Sequence, residues 1–327
     1  MPWGYIRLNS GYAIPSIAFG TWTLGNGQDP IDQVAQSLEN GFDHIDTAQS
    51  YRNEAEVGVA LRESGLSRTD VFITTKYSGT DGLDMDTSIR NSVANLGIEY
   101  VDLYLIHAPR LAVPDIPTAW ARMEKIREAG FARSIGVSNF DEKDLEILLA
   151  SAKIKPAVNQ ILLHPYVYRR QRPILEYAAK HGIVIEAYSA LTPITQRPGG
   201  PLDAPLNTIA SRLGVTTDQV LLAWTKAKGA VVVTTSSKKT RLHGYLTAGD
   251  IGTRAYPTFL RNAFAHCVMI NLPELTQEDI DTIDAAGAIG EQRSMNTGVT
   301  VRKLVNHGLV ALALFVVGSY YIDMRIF

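Results

Sequence analysis

The sequence predicts an α/β fold: a closed (β/α)8 barrel with a C-terminal hydrophobic tail. Short β-rich runs alternate with amphipathic stretches from about residue 15, and there are eight such runs. Polar, ionisable side chains stand where successive runs end, as expected when all strand ends meet on one rim. Eight parallel strands with right-handed helical crossovers close more readily into a barrel than they form an open sheet.

A short segment, 5–14, precedes the first predicted strand and is expected to form a small hairpin that closes the barrel floor. The predicted barrel strands are 15–21, 43–46, 71–76, 101–107, 132–138, 156–161, 183–189 and 230–234.

The intervening helices are indicated by their capping residues. Helices over 30–40, 84–96, 141–152 and 217–228 are expected to open at Asp29-Pro30, Asp84, Asp141 and Thr216-Thr217. Glycines 41, 130 and 182 follow predicted helix ends, where a left-handed residue is favoured.

Residues 1–290 are predicted to form one barrel domain, with an atypical insertion at about 252–270 that lacks any regular period. Two interpretations of the insertion stay open: a surface loop, or translated non-coding sequence. A linker is predicted over 291–303. A hydrophobic tail, 304–322, follows it.

The tail has two interpretations. No charged residue occurs between Lys303 and Asp323, which favours a membrane anchor with the barrel facing the cytosol. The alternative is a terminal helix buried against the barrel, because Asn306 and His307 shorten the apolar run.

Composition excludes several classes of function. A net charge of −2 gives no basis for nucleic-acid binding, and the single cysteine, Cys267, excludes an internal disulfide framework. The seven histidines show no metal-ligand spacing, so no metal is expected. The N-terminal sequence lacks signal-peptide features, and we expect a cytoplasmic monomer acting on a small molecule.

Four strand-end residues suggest chemistry: Asp46, Tyr51, Lys76 and His107. A phenol is a weak acid at neutral pH, but a nearby ammonium favours tyrosinate and is expected to lower its pKa. Asp46 would hold Lys76 charged and aimed, and a neutral His107 could orient a carbonyl oxygen. Such a set suits protonation of a carbonyl oxygen while hydride reaches its carbon.

Longer motifs carry a resemblance. Residues 41–48 read GFDHIDTA and precede Tyr51; IGVSNF follows at 135–140, Asn159-Gln160 stands before His164-Pro165-Tyr166, and AYS occupies 187–189. Over roughly residues 5–245 the chain resembles the aldo-keto reductase family. The resemblance implies a TIM barrel that binds a nicotinamide cofactor, with a catalytic tetrad at Asp46, Tyr51, Lys76 and His107.

The resemblance also implies cofactor contacts. Ser138, Asn139 and Gln160 correspond to residues that bind the carboxamide, and Tyr188 to the ring that stacks on the nicotinamide. The remaining contacts implied are Ser189 and Leu191 for the pyrophosphate, Ser236 and Arg241 for the adenosine 2′-phosphate, and Thr21. Thr235 replaces a family lysine, and Lys238 or Lys239 could supply the missing charge. NADPH is therefore expected as cofactor, with NADH as the alternative.

On the substrate side, together with His107, Trp22 is retained, whereas Ala108, directly after His107, and Ser78 stand where many family members carry aromatic rings. The wider mouth predicts bulky ketones, keto esters or keto amides, and the Thr-Thr-Ser-Ser-Lys run resembles the fungal keto-amide reductase branch. The predicted function is NADPH-dependent carbonyl reduction with Tyr51 as general acid. The alternative is a redox-sensing regulatory subunit resembling the potassium-channel β-subunits.

Overall fold

The computed structural model of the chain describes residues 3–253 and 274–306. Eight parallel strands close into a barrel: β3 (Ile17–Gly20), β4 (His44–Asp46), β5 (Phe72–Tyr77), β6 (Val101–Ile106), β7 (Ala132–Ser138), β8 (Val158–Leu162), β9 (Val184–Tyr188) and β10 (Val231–Thr234). Around the barrel they pair in the order β10-β3-β4-β5-β6-β7-β8-β9. The predicted (β/α)8 fold is confirmed.

A hairpin of β1 (Tyr5–Arg7) and β2 (Ala13–Pro15) precedes the barrel and pairs antiparallel. Leu8 and Ile14 pack with inward-facing residues of the barrel such as Leu103. The Asn9 side chain donates to the carbonyl of Pro156, 2.8 Å away, just before β8 begins. The hairpin therefore closes the amino end of the barrel, as predicted.

Helices surround the strands. They are α1 (Gln28–Glu39), α2 (Glu54–Glu63), α3 (Met85–Leu96), α4 (Ile116–Glu128), α5 (Glu142–Ser151), α6 (Pro165–His181), α7 (Thr192–Thr195), α8 (Asp203–Leu213), α9 (Thr217–Ala227), α10 (Lys239–Thr247) and α11 (Gln277–Asn306). Asp84, Asp141 and Thr216 cap α3, α5 and α9 as predicted. Helix α1 begins earlier than expected: Gly27 is its N-cap, and Asp29 lies within the first turn.

Helix α11 packs on α6 and α8. Glycine is required where α11 meets α6: a Cβ at Gly287 would lie 2.4 Å from the Pro165 carbonyl oxygen, and one at Gly290 would lie 2.2 Å from the Tyr166 ring. The helix continues to Asn306, so residues 291–303, predicted as a linker, are helical. Each further residue of an existing helix adds a hydrogen bond without a new nucleus, which favours such an extension.

Two predictions concern segments largely outside the described residues. The insertion at 252–270 is described only at its start, where β11 (Gly252–Thr253) pairs in parallel with β12 (Glu274–Leu275). The hydrophobic tail, 304–322, is described only to residue 306. Across the described ranges, no helix has both the length and the apolar character needed to cross a membrane.

Candidate active site

The four predicted catalytic residues meet at the carboxyl end of the barrel. Asp46 ends β4, Tyr51 ends a short 3-10 turn that follows it, Lys76 lies near the end of β5, and His107 follows β6 directly. Parallel strands place these ends on one rim, so side chains from three consecutive strands converge.

Lys76 is the centre of this cluster. Its Nζ donates to Asp46 Oδ1 at 2.6 Å, to the Thr47 carbonyl at 3.0 Å and to the Tyr51 hydroxyl at 3.3 Å. The side chain is fully buried. Burial is the largest single effect and lowers the pKa of the amine, but the Asp46 carboxylate, Tyr51 and Glu186 together outweigh it, so the pKa lies above its usual value. Lys76 is therefore a fixed ammonium aimed at the phenol.

The pKa of Tyr51 moves in the direction opposite to the one predicted. Burial raises it, and this effect exceeds the lowering by the Lys76 charge; the nearby Asp46 charge raises it further. The sequence shows the cation, but only the folded structure shows how far the phenol is desolvated. The consequence is that Tyr51 stays protonated at neutral pH, and Lys76 acts on the tyrosinate that forms when the proton leaves.

His107 is a neutral imidazole. Burial, followed by the Lys76 charge, lowers its pKa to about 3. Its ring lies edge-on to Tyr51 with centroids 5.7 Å apart, so both can reach one oxygen. Nδ1 lies 2.8 Å from the Ser78 hydroxyl and 3.5 Å from that of Ser50. A hydroxyl donating to Nδ1 leaves the proton on Nε2, the tautomer that can donate to a carbonyl oxygen.

Next to the tetrad lie the polar residues predicted to contact the carboxamide: Ser138 ends β7, Asn139 follows it, and Gln160 is in the middle of β8. Ser138 and Gln160 are buried, and Asn139 is exposed on the rim. Asn139 Nδ2 donates to the His107 carbonyl at 3.0 Å, and its Oδ1 accepts from the Tyr188 hydroxyl at 2.8 Å. Carboxamide recognition needs both donors and acceptors, and this group supplies both.

Backbone strain marks the same rim. Asn139 and Ser189, which directly follow β7 and β9, have φ of 62° and 58°. This left-handed region is uncommon for residues other than glycine and is found preferentially at binding sites. Each strained residue turns the chain sharply at the point where the cofactor contacts are predicted.

The predicted phosphate contacts lie on the β9 and β10 side. Leu191, which is buried, precedes the short helix α7. Ser236 accepts from the Lys238 amide at 3.1 Å, and the exposed Arg241 lies in the first turn of α10. A helix N-terminus with basic side chains suits a phosphate, so these residues fit the group predicted to bind there.

The residues predicted to contact the substrate differ in their exposure to solvent. Trp22 is 42% exposed on the loop after β3, whereas Ala108 is buried. Thr21 is also buried, and its hydroxyl donates to Thr47 at 2.9 Å and lies 3.1 Å from Asn53 Oδ1. Its side chain therefore joins the loop after β3 to Thr47, which directly follows β4, while the predicted cofactor contact stays a prediction.

Sequence reasoning did not identify two residues. Glu186, in the middle of β9, is fully buried beneath the tetrad and accepts from Gln160 at 3.1 Å. An acid between Ile185 and Ala187 in an otherwise apolar run was the available signal. For Ser50 there was no such signal in the sequence, because serine is common in loops. Within the described residues, no group of His, Cys, Asp or Glu could hold a metal ion.

Comparison with known proteins gives the family. The model of the aldo/keto reductase family matches residues 16–254. An indole-3-acetaldehyde reductase of Schizosaccharomyces pombe, named as NAD/NADP-dependent, is 39% identical over 65% of this chain and 75% of its own length. A glyoxal reductase of Bacillus subtilis is 34% identical over 86% of this chain and 91% of its own length.

A solved structure agrees. An aldo-keto reductase of Bombyx mori in complex with NADP superposes with a TM-score of 0.74 at 28% identity, over 86% of this chain and 92% of that one. With a closed eight-stranded barrel and a family match that spans it, the chain belongs to the aldo/keto reductase family and is an oxidoreductase that acts on carbonyl groups.

Proposed function

We propose that this protein reduces an aldehyde or ketone to the alcohol with NADPH, and that Tyr51 is the general acid. The observation that carries the proposal is the 3.3 Å contact between Lys76 Nζ and the Tyr51 hydroxyl, with Asp46 fixed 2.6 Å behind the amine. When bound, the cofactor supplies hydride to the carbonyl carbon. The protein must then deliver one proton to the carbonyl oxygen.

The residues divide this work. Tyr51 holds the proton in the resting state because burial keeps its pKa high. As the proton moves to the substrate oxygen, negative charge appears on the phenol, and the Lys76 ammonium stabilises it. His107, kept neutral, donates from Nε2 to the same substrate oxygen and so fixes the angle at which the carbonyl faces the cofactor.

NADPH is favoured over NADH by the α10 N-terminus. Arg241 offers a planar guanidinium there, and Lys238 and Lys239 add positive charge where Thr235 has replaced the family lysine. The S. pombe relative is named for both cofactors and the B. mori relative was solved with NADP, which supports a phosphate-binding role for this end of the barrel.

For the substrate we propose bulky ketones, keto esters or keto amides. Ala108 and Ser78 are small residues where many family members carry aromatic rings, and Trp22, on the loop after β3, exposes an apolar surface. A wide mouth loses the contacts that grip small aldehydes but admits a second carbonyl group.

The test is the initial rate of the purified full chain with NADPH and with NADH, on a keto ester, a keto amide and a small aldehyde. We expect NADPH to be preferred and Arg241→Gln to raise the KM for NADPH roughly tenfold while leaving that for NADH unchanged. A clear preference of the wild type for NADH would overturn the role of Arg241. Tight NADPH binding without turnover of any carbonyl would favour the regulatory alternative instead.

A further inference from the structure

Glu186 is a buried carboxyl that the proposed chemistry does not use. It lies on β9 directly beside Gln160 of β8 in the barrel register. Its Oε2 accepts from Gln160 Nε2 at 3.1 Å, and the same Nε2 donates to Asp46 Oδ2 at 2.8 Å across the barrel. One amide nitrogen thus joins a catalytic carboxylate to a second carboxyl beneath it.

This arrangement fixes the orientation of the Gln160 amide. Nε2 carries two hydrogens, and the two carboxyl groups accept both. Turning the amide over would place its carbonyl oxygen against the Asp46 carboxylate, which is repulsive. In the described part of the chain no hydrogen bond uses Gln160 Oε1, so that oxygen is left to accept from a ligand.

The surroundings of Glu186 favour a neutral carboxylic acid. The neighbouring titratable groups are His44 and Asp46 on β4, Lys76 on β5, and Tyr51 above them; the adjacent Gln160 and Val231 carry no charge. Lys76 is already matched by Asp46, so a second carboxylate would leave an uncompensated charge in a water-free core.

The remaining contacts agree with that assignment. His44 Nε2 lies 3.8 Å from Glu186 Oε1, and burial lowers the pKa of His44 to about 3, so it offers no cation. Oε1 has no hydrogen-bond partner among the described residues. Burial, with the Asp46 charge next, raises the pKa of Glu186 to about 8.

We propose that Glu186 is a positioning residue: as a neutral acid it shares Gln160 Nε2 with Asp46 and so presents Gln160 Oε1 to the amide of the cofactor. This inference rests on the proposed function, because Gln160 is expected to receive the nicotinamide carboxamide. Glu186 touches neither cofactor nor substrate and acts only through Gln160.

The first experiment measures the Kd of NADP by quenching of protein fluorescence in wild type, Glu186→Gln, Glu186→Leu and Gln160→Leu. Glu186→Gln keeps an acceptor oxygen and should stay within about twofold of wild type, whereas Glu186→Leu should raise the Kd roughly tenfold. In the Gln160→Leu background, Glu186→Leu should add less than about twofold, since its effect passes through residue 160. Equal affinity of Glu186→Leu and wild type, or the same loss in both backgrounds, would overturn the proposal.

A second measurement reports the proton and does not depend on Glu186→Leu being folded. The folded state keeps a proton on Glu186 between pH 4.5, the ordinary pKa, and about 8, while the unfolded chain releases it. Stability due to this group is therefore lost as the pH rises through that window. In urea unfolding, the free energy of unfolding of Glu186→Gln should rise relative to that of wild type from pH 5 to pH 8. A difference that stays constant over this range would show that Glu186 is not a neutral acid in the folded state.

The two proposals fail differently. Turnover with NADPH but no coupling between residues 160 and 186 would remove only the positioning role. NADP binding with intact coupling but no carbonyl reduction would remove only the reductase function. A wild type that binds no nicotinamide nucleotide would contradict both.

Discussion

The two ends of the barrel each bury a carboxylate beside a cation, but in different ways. At the amino end, Asp102 accepts from Arg68 at 2.7 Å, from Arg133 at 3.1 Å and from the Ile73 amide at 2.9 Å. Both guanidinium groups also lie over the Tyr100 ring, at 4.3 and 4.0 Å. At the carboxyl end, Asp46 pairs with Lys76, and the titratable groups of Tyr51, His107 and Glu186 lie nearby.

The difference indicates that the amino end of the barrel serves stability and the carboxyl end serves chemistry. Both carboxylate oxygens of Asp102 accept hydrogen bonds from groups of the protein itself. Around Asp46, burial displaces the pKa of Tyr51 upward, that of His107 to about 3 and that of Glu186 to about 8. Groups with strongly shifted pKa values accumulate at functional sites. At the amino end, the ion pairs of Asp102 serve the stability of the barrel instead.

The largest effect that tests this contrast is expected for Tyr51→Phe. Losing the proton donor should lower kcat by roughly 10²- to 10⁴-fold, with the Kd of NADPH nearly unchanged. Tyr104→Phe is the matched control, because that hydroxyl is buried on β6 and bonds Ser88 at 3.3 Å, away from the tetrad. Steady-state rates and fluorescence titration check both, and an equal loss of binding and turnover in Tyr51→Phe would show a structural role.

A smaller effect, of the opposite kind, is expected at the amino end. Asp102→Asn leaves two partly buried guanidinium groups without their anion and should lower the free energy of unfolding by about 2 kcal/mol, with kcat preserved. Asp81→Asn, which breaks the exposed pair with Arg52, should change neither quantity measurably. Urea unfolding and initial rates measure the two quantities. A lower kcat of Asp102→Asn with an unchanged free energy of unfolding would show that the amino end also contributes to activity.

The sequence was sufficient to predict the barrel and the convergence of the four predicted catalytic side chains, because both follow from where apolar runs stop. Asp46, Lys76 and His107 stand at run ends, and parallel topology brings such ends together without further information. The sign of the Tyr51 pKa shift could not be predicted, since it depends on how completely packing removes water from the phenol. Glu186 could not be assigned either, because its partner Gln160 and the carboxylate across the barrel come from distant parts of the chain.

The hydrogen-bond contacts of serine hydroxyls also could not be predicted from the sequence. Ser78 was predicted only as a missing aromatic ring, yet its hydroxyl lies 2.8 Å from His107 Nδ1. Its contact with Ser50, at 3.1 Å, joins two loops that sequence spacing does not relate. A small side chain can thus leave space and also contact a neighbouring imidazole.

The smallest effect is therefore expected for Ser78→Ala. Without this hydroxyl, Nδ1 loses its nearest partner, and the tautomer that donates from Nε2 is no longer favoured; kcat/KM for ketones should fall about fivefold, the worth of one neutral hydrogen bond. Ser50→Ala is the matched control, and its effect should be weaker because its Oγ lies 3.5 Å from the ring nitrogen. Since the low pKa keeps His107 neutral, neither variant should alter the rate profile between pH 6 and pH 8. Equal losses in the two serine variants would show that the pocket surface, and not the imidazole tautomer, responds to these hydroxyls.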